Sequence, residues 1–229
     1  MTLIKFKSPV DLSDYALIIP TVSIGNVPQL MVDLLITTYN FYKIGHLWHS
    51  ALVPLVGADP YYADNNEICT ACELYYSPEL KWATIQLRST LESKMTLKFL
   101  NDLCDEIVKI NFSKVAILSS GFDYELKINQ EKFFIKSNSD IFKIHNIQKE
   151  GHVPANGCGF SFKMFNLLSE KTKCLLLIKF VSEGDNRPDA VAMLEKVLKV
   201  FDFSENKRGL VEPSSWKFGF GGYAPLGIF

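Results

Sequence analysis

The chain has 229 residues, of which 48% are hydrophobic and 21% are charged, and its formal net charge is −1. This is the composition of an ordinary globular protein, and no apolar run approaches the length that spans a bilayer. Lys and Arg are scattered along the sequence, so the basic stripe that binds a phosphate backbone is missing. The sequence therefore predicts neither a nucleic-acid partner nor a membrane protein.

Strand and helix patterns alternate from the N-terminus onward. Residues 15–22 form a nearly unbroken apolar run of strand length, and residues 23–26 predict a turn. Pro28 suits the first turn of a helix, and apolar residues follow it at helical spacing. The first 40 residues thus predict a strand, a turn and a helix.

The alternation continues through the middle of the chain. Residues 68–76 and 82–88 predict two strands joined by a turn, and residues 95–110 predict a helix. Residues 115–119 predict another strand buried on both faces. The apolar face of the helix is expected to consist of Leu97, Leu100, Leu103, Cys104 and Ile107.

Residues 122–165 lack a clean hydrophobic period, apart from a helix predicted to begin near Phe160. Beyond them, residues 175–181 predict a strong buried strand, and Pro188 predicts the start of a last amphipathic helix. No internal repeat is present. From residue 204 onward the chain is first polar and then rich in glycine and aromatic residues.

The order of these elements indicates a fold class. Strands that alternate with helices predict a mostly parallel sheet with helices on both faces, and the pair within residues 68–88 predicts an antiparallel portion. We expect an α/β fold, a Rossmann-like three-layer α/β/α sandwich. Residues 1–218 are expected to form a single α/β domain, and residues 219–229 a flexible apolar C-terminal tail.

The sequence contains five cysteines, and their odd number without a secretion signal predicts reduced thiols. Cys69 and Cys72 have thioredoxin-like spacing, but they lie in a strand pattern, where alternation would point their sulfurs to opposite faces. His46 and His49 also lie near a short strand rather than at the spacing of a helical zinc motif. Packing roles are expected for the cysteines and packing or surface roles for the histidines, with no metal or cofactor. A redox protein that uses the two cysteines remains an alternative.

An acidic loop, residues 183–189, follows the last buried strand and contains Glu183, Asp185, Asn186 and Asp189. Ligands bind beyond the carboxyl ends of strands in parallel α/β sheets, so these acids could hold a metal or act as general acid and base. The favoured interpretation is a capped turn, because Asp185 or Asn186 can accept free N–H groups and Asp189 complements the helix dipole. A small-molecule enzyme that uses the loop remains an alternative.

The tail, residues 219–229, is uncharged, apolar and spaced by glycine. Chain ends are usually polar, so we expect either packing on its own domain or insertion into a partner's pocket, with the C-terminal carboxylate paired to a lysine. The candidate partner-binding residues of the tail are Tyr223, Pro225, Leu226, Gly227, Ile228 and Phe229.

Several segments, in order along the chain, resemble the PAC2-type proteasome assembly chaperone family. The matched segments are residues 25–34, 43–45, 52–57, 86–89, 179–190 and 213–216. Each is short, but their shared order and the long match at 179–190 make the resemblance specific.

The resemblance implies a function without catalysis and without a cofactor. It implies a heterodimer with proteasome assembly chaperone 1 that binds the α-subunit ring and promotes assembly of the 20S proteasome, in the cytoplasm and nucleus. It also gives the acidic loop a second meaning, as part of an interface. Proteasome-binding proteins of this kind commonly end in a hydrophobic residue, a tyrosine and any residue. This sequence departs from that pattern, because it ends in Gly227, Ile228 and Phe229.

Overall fold

The computed structural model describes residues 3–62, 66–126, 132–144, 156–203 and 209–218. Within them lie ten strands and four α-helices. The strands are β1 (Ile4–Phe6), β2 (Ala16–Pro20), β3 (Tyr42–Leu47), β4 (Val56–Ala58), β5 (Ile68–Thr70), β6 (Cys72–Ser77), β7 (Trp82–Leu87), β8 (Lys114–Phe122), β9 (Phe133–Ser137) and β10 (Cys174–Val181). The α-helices are α1 (Val27–Thr38), α2 (Thr96–Ile110), α3 (Ser161–Ser169) and α4 (Arg187–Val200).

Eight strands form one sheet, in the order β1-β3-β6-β7-β2-β8-β10-β9. The four central strands, β7, β2, β8 and β10, run parallel to one another. Antiparallel strands extend the sheet on both sides. Strands β4 and β5 pair only with each other and form a separate antiparallel ribbon. The predicted α/β sandwich is confirmed, and its antiparallel portion extends beyond the predicted β6–β7 pair.

The helices cover both faces of the sheet and produce two hydrophobic clusters. Along β8, Val115 and Ile117 face the cluster that contains α2 and α3. Their neighbours Ala116 and Leu118 face the cluster that contains α1 and α4. Because side chains alternate along a strand, a strand between two helical layers must be apolar at every position. This explains why the central strands appear in the sequence as unbroken apolar runs.

The start of α1 follows the predicted turn chemistry. Gly25 has a φ of 66°, in the left-handed region that glycine occupies without strain. Pro28 lies in the first turn of the helix, where its missing N–H costs nothing. A side chain at position 25 would also collide with Asn186, because a Cβ there would lie 2.1 Å from a terminal atom of the Asn186 side-chain amide. The starts of α1 and α4 are therefore in direct contact.

Two local expectations are wrong. Leu97 is 58% exposed, and Phe99, which is 1% exposed, packs in the core at that end of α2. The single strand predicted over residues 68–76 is divided at Ala71 into β5 and β6. The Thr70 N–H donates to the Glu73 carboxylate at 3.0 Å instead of continuing the main ladder, and this releases β5 to pair with β4. In the described part of the chain, no helix has the length and apolar character needed to cross a bilayer.

Candidate interaction site

The acidic loop connects β10 to α4 at the carboxyl end of the parallel strands. Glu183 and Asp185 are both exposed. The Asp185 carboxylate accepts hydrogen bonds from the backbone N–H of Arg187, at 3.2 Å, and from its guanidinium, at 2.6 to 3.1 Å. These bonds, the guanidinium contacts above all, hold the pKa of Asp185 below its ordinary value. Asp185 is therefore an ionised carboxylate that closes the turn before the helix.

The other half of the loop faces inward and ties α4 to the sheet. Asn186 is buried, and with its amide nitrogen turned toward acceptors it donates to the Ser182 carbonyl at 3.0 Å and to Asp189 Oδ2 at 3.1 Å. Asp189 Oδ1 lies 3.2 Å from Nζ of Lys179, a β10 residue that is 5% exposed. Asp189 also lies in the first turn of α4, where the helix dipole favours a negative charge. These contacts are those of a helix-start turn.

Removing the Asp189 carboxylate is expected to destabilise the fold strongly, whereas removing that of Asp185 is not. Asp189→Ala leaves the Lys179 ammonium buried without its partner, a defect that costs about 3–5 kcal/mol in proteins. Asp185→Ala removes only exposed contacts, so its urea midpoint should stay close to that of the parent. Equilibrium urea unfolding of both variants tests this, and equal midpoints for the two would contradict it.

A substrate crevice is the feature that an enzyme of this architecture would need. In open α/β sheets it lies beyond the strand ends where the strand order reverses, which here is between β2 and β8. Segment 156–159 bridges these strand ends, and its Gly157 carbonyl accepts from the N–H of Ile24 at 3.0 Å. A Cβ on Gly159 would lie 2.1 Å from the Val22 carbonyl oxygen. The chain itself fills this position, which counts against the small-molecule enzyme.

The described cysteines are all buried and unbridged. Cys69 belongs to β5 and Cys72 to β6, on either side of the break at Ala71. Burial raises the pKa of the Cys72 thiol far above its ordinary value, and the neighbouring Glu73 carboxylate raises it further. Burial also raises the pKa of Cys104 and Cys174 to about 12. Such thiols are the opposite of the low-pKa, accessible thiols of redox proteins.

The native chain should therefore leave its thiols unreacted with Ellman's reagent at pH 8, because all five are buried and the raised pKa of Cys72, Cys104 and Cys174 also disfavours the reactive thiolate. The five thiols should all react once the protein is unfolded in guanidinium chloride. A native thiol that reacts as fast as free cysteine would contradict this expectation and restore the redox alternative.

The two histidines of interest occupy different environments. His46 lies on β3 opposite Lys5 of β1. His49 is buried, where its Nδ1 accepts from the Ala51 N–H at 3.0 Å and its Nε2 lies 3.1 Å from Asp102 Oδ2. Both nitrogens of His49 are thus engaged in structural contacts. Among the described residues no group of three or more His, Cys, Asp or Glu side chains is placed to hold a metal ion.

A buried polar cluster that the sequence analysis did not predict joins α1 to the end of β7. Asp33 Oδ1 accepts hydrogen bonds from Gln86 Nε2 at 2.6 Å, Arg88 Nη2 at 2.8 Å and the Tyr61 hydroxyl at 3.0 Å. Arg88 Nη2 also lies 2.7 Å from the Tyr61 hydroxyl oxygen. We refer to Asp33, Tyr61, Gln86 and Arg88 as the Asp33 cluster.

Electrostatics within the Asp33 cluster favour its charged form. Burial is the largest single influence and would lower the pKa of Arg88, but the Asp33 carboxylate together with Tyr61 and Tyr75 outweighs burial and raises it above its ordinary value. Burial, with Asp33 as a second cause, raises the pKa of Tyr61 well above its usual range, so the phenol stays a donor. The sequence did contain a signal for this cluster: Asp33 interrupts an apolar helix, and Gln86 and Arg88 occur two residues apart at the end of an apolar strand.

Residues 209–218 contact the C-terminal end of α1 and are called the C-terminal strap here. The N–H of Val211 donates to Oγ1 of Thr38 at 3.1 Å. The N–H of Ser215 donates to the carbonyl of Pro60 at 3.0 Å. The strap thereby fixes the end of the described chain beside the loop that follows β4. The candidate tail residues Tyr223, Pro225, Leu226, Gly227, Ile228 and Phe229 all lie outside the described residues.

The β4–β5 ribbon exposes apolar side chains. Its register places Val56 opposite Thr70 and Ala58 opposite Ile68, so these four residues share one face, called the ribbon face below. Val56 is 70% exposed and Ile68 is 59% exposed. Cys69 points to the other side and is buried. Other exposed large apolar residues flank the ribbon in sequence, namely Val53, Leu55 and Tyr62. An exposed apolar surface of this kind is typical of a contact site.

Comparison with known proteins identifies the group to which this architecture belongs. The model of the PAC2 family matches residues 17–212. The chain belongs to the PAC2 family. Curated relatives at similar length include proteasome assembly chaperone 2 of Xenopus tropicalis, with 32% identity over 95% of each chain. The human proteasome assembly chaperone 2 is 30% identical, covering 97% of this chain and 98% of its own.

Solved structures show the same PAC2 fold. Pyrococcus furiosus PbaA, described as an archaeal homolog of proteasome-assembly chaperone, superposes with a TM-score of 0.66 and 15% identity over 89% of this chain and 88% of its own. PbaB of the same organism, described as an archaeal proteasome activator, gives a TM-score of 0.64 with 14% identity, covering 89% of this chain and 90% of its own. The family resemblance seen in the sequence is therefore confirmed.

Proposed function

We propose that this PAC2-family chain is a proteasome assembly chaperone subunit. It pairs with proteasome assembly chaperone 1, and the heterodimer binds the α-subunit ring and promotes assembly of the 20S core. The observation that carries the proposal is the similarity, over nearly the whole chain, to curated proteins named proteasome assembly chaperone 2. A cytoplasmic and nuclear location belongs to the same proposal.

The proposed role involves no catalysis and no cofactor. Support comes from the strand-end crevice, where segment 156–159 occupies the position that a substrate takes in enzymes of this architecture. The Asp185 carboxylate is bound to Arg187, and Asp189 is paired with Lys179. The acids of the loop are thus engaged in positioning α4, and the loop's exposed rim at Glu183 is free to form part of an interface.

Binding to α subunits is assigned in part to the tail, residues 219–229. Support for this comes from its apolar, uncharged sequence and from the strap, whose Ser215 N–H donates to the Pro60 carbonyl shortly before the tail begins. Leu226, Ile228 and Phe229 would supply buried apolar area, and the terminal carboxylate would pair with a lysine of an α subunit. Ile228 and Phe229 predict a pocket that accepts aliphatic and aromatic groups.

The proposal is tested by co-expression with proteasome assembly chaperone 1, followed by size-exclusion chromatography with light scattering and by capture of α subunits. We expect a one-to-one complex that retains α subunits. A variant without residues 226–229 should keep the heterodimer and lose affinity for α subunits. Unchanged affinity in that variant would remove the tail from the proposal. A monomer that binds neither partner would overturn the proposed function as a whole.

A further inference from the structure

The ribbon face is apolar, and the charges around it are already paired. Residues 51–58 contain no Lys or Arg and no Asp or Glu. At the base of the ribbon, Glu67 Oε2 lies 3.0 Å from Nζ of Lys7 and 3.0 Å from Nζ of Lys43. Lys43 Nζ also lies 3.4 Å from Oε1 of Glu73. Because these charges satisfy one another, an occupant of the ribbon face gains little from carrying charge itself.

The ribbon is held in place independently of any occupant. Lys43 Nζ donates to the carbonyl of Ile68 at 2.7 Å, and the Glu73 carboxylate accepts from the N–H of Thr70 at 3.0 Å. Cys69 packs inward, opposite Gly57 of β4. An isolated two-stranded ribbon is marginally stable in water, so these anchors matter. The ribbon face is thus a preformed surface, and an occupant would not bear the cost of ordering it.

The C-terminal strap holds the chain close to the ribbon face just before residues 219–229 begin. The N–H of Ser215 donates a hydrogen bond to the carbonyl of Pro60, which lies two residues beyond the end of β4 at Ala58. Eleven residues, 219–229, follow the described strap. Fully extended, eleven residues span about 36–40 Å, and a glycine-rich coil of that length has a typical end-to-end distance of about 18 Å. From Pro60 to Val56 the ribbon extends only about 13 Å. The ribbon face is therefore within reach.

We propose that residues 219–229 dock on the ribbon face of the same chain. The segment carries no charged side chain, and Leu226, Ile228 and Phe229 match the apolar, charge-free character of the surface. A short tether gives an effective concentration in the millimolar range, so a contact too weak to form between separate molecules forms within one chain. This contact goes beyond the proposed function, because it exists in the isolated protein and requires no proteasome subunit.

The test uses methyl-labelled protein and NMR spectra of the full chain and of a variant that ends at residue 218. We expect truncation to shift the methyl resonances of Val56 and Ile68, and a synthetic peptide of residues 219–229 to reverse the shift when added in excess. Leu97 is the control, because it is 58% exposed on α2 and belongs neither to the ribbon face nor to residues 219–229. Its methyl resonances should not move.

A second variant separates docking from altered folding. Val56→Thr combined with Ile68→Thr keeps β-branched residues in both strands but removes apolar area from the ribbon face. In the truncated background it should weaken peptide binding at least tenfold while its other resonances stay in place. Resonances of Val56 and Ile68 that are the same with and without residues 219–229 would overturn the proposal. Shifts that appear only when proteasome assembly chaperone 1 is added would also overturn it and assign the face to that partner.

Discussion

Replacing Arg88 by methionine is expected to destabilise the protein by about 3–5 kcal/mol, the range found when one partner of a buried ion pair is removed. The substitution keeps most of the side-chain volume but leaves the Asp33 carboxylate without its cation. Both side chains are largely shielded from water, at 17% and 9% exposed for Arg88 and Asp33. Equilibrium urea unfolding, followed by circular dichroism, measures the loss directly.

The control for Arg88 is a double variant in which both charges are removed. Asp33→Leu with Arg88→Met leaves no unpaired charge, and replacing a whole buried pair by apolar residues is often neutral. We therefore expect the double variant to be more stable than Arg88→Met alone. If it is instead the less stable of the two, the carboxylate stabilises the fold mainly through Tyr61 and Gln86, and the ion pair itself contributes little.

Replacing Trp216 by alanine is expected to release the C-terminal strap and to cost about 3–5 kcal/mol, the usual range for removing a buried Trp or Phe. Trp216 is 9% exposed and packs in the hydrophobic cluster of α1 and α4. Its loss should also make the strap susceptible to proteolysis, because the contacts of Val211 and Ser215 depend on the strap lying against α1. Limited proteolysis with mass spectrometry locates the cut.

Trp48→Ala is the matched control for this experiment. The side chain of Trp48 is 69% exposed, so its removal is expected to change the unfolding free energy by no more than about 0.5 kcal/mol. Equal losses for the two tryptophans would mean that the strap does not stabilise the domain. A stable Trp216→Ala variant with a protected strap would lead to the same conclusion.

The local sequence pattern was sufficient to predict the central strands and the starts of two helices. A strand between two helical layers must be apolar at every position, so β2, β8 and β10 were recognised from unbroken apolar runs. Pro28 and Pro188 marked the starts of α1 and α4 because proline fits only the first turn of a helix. These features depend on residues close together in the sequence, which is why they can be predicted without the fold.

The edges of the sheet and the Asp33 cluster could not be predicted in the same way. β1 has only three residues, too few to establish an alternation, and the five residues of β9 do not alternate between apolar and polar. The contacts of Asp33 with Gln86 and Arg88 join residues 53 and 55 positions apart, and only the parallel β2–β7 pairing with α1 packed beside it brings them together. The ribbon face was missed because the separation of β5 from β6 at Ala71 depends on the Glu73 contact.

In the acidic loop, residue type alone was enough to predict some side-chain contacts but not others. The helix-start chemistry proposed for Asp185 and Asp189 corresponds to contacts seen in the structure, since Asp185 accepts the N–H of Arg187 and Asp189 lies in the first turn of α4. The inward role of Asn186, buried against Gly25 of the turn before α1, requires knowledge of which helices are neighbours. The assignments of the tail and of the loop as partner-binding sites remain predictions.

The strap has a consequence for how the protein is made in the cell. Its hydrogen bonds to Thr37 and Thr38 join residues 174 and 173 positions apart in the sequence, almost the full span of the domain. A ribosome synthesises the strap long after α1, so the strap cannot cover α1 while the residues between them are being translated. The domain can close only after the strap has emerged from the ribosome, and a nascent chain would need protection of its apolar helix until then.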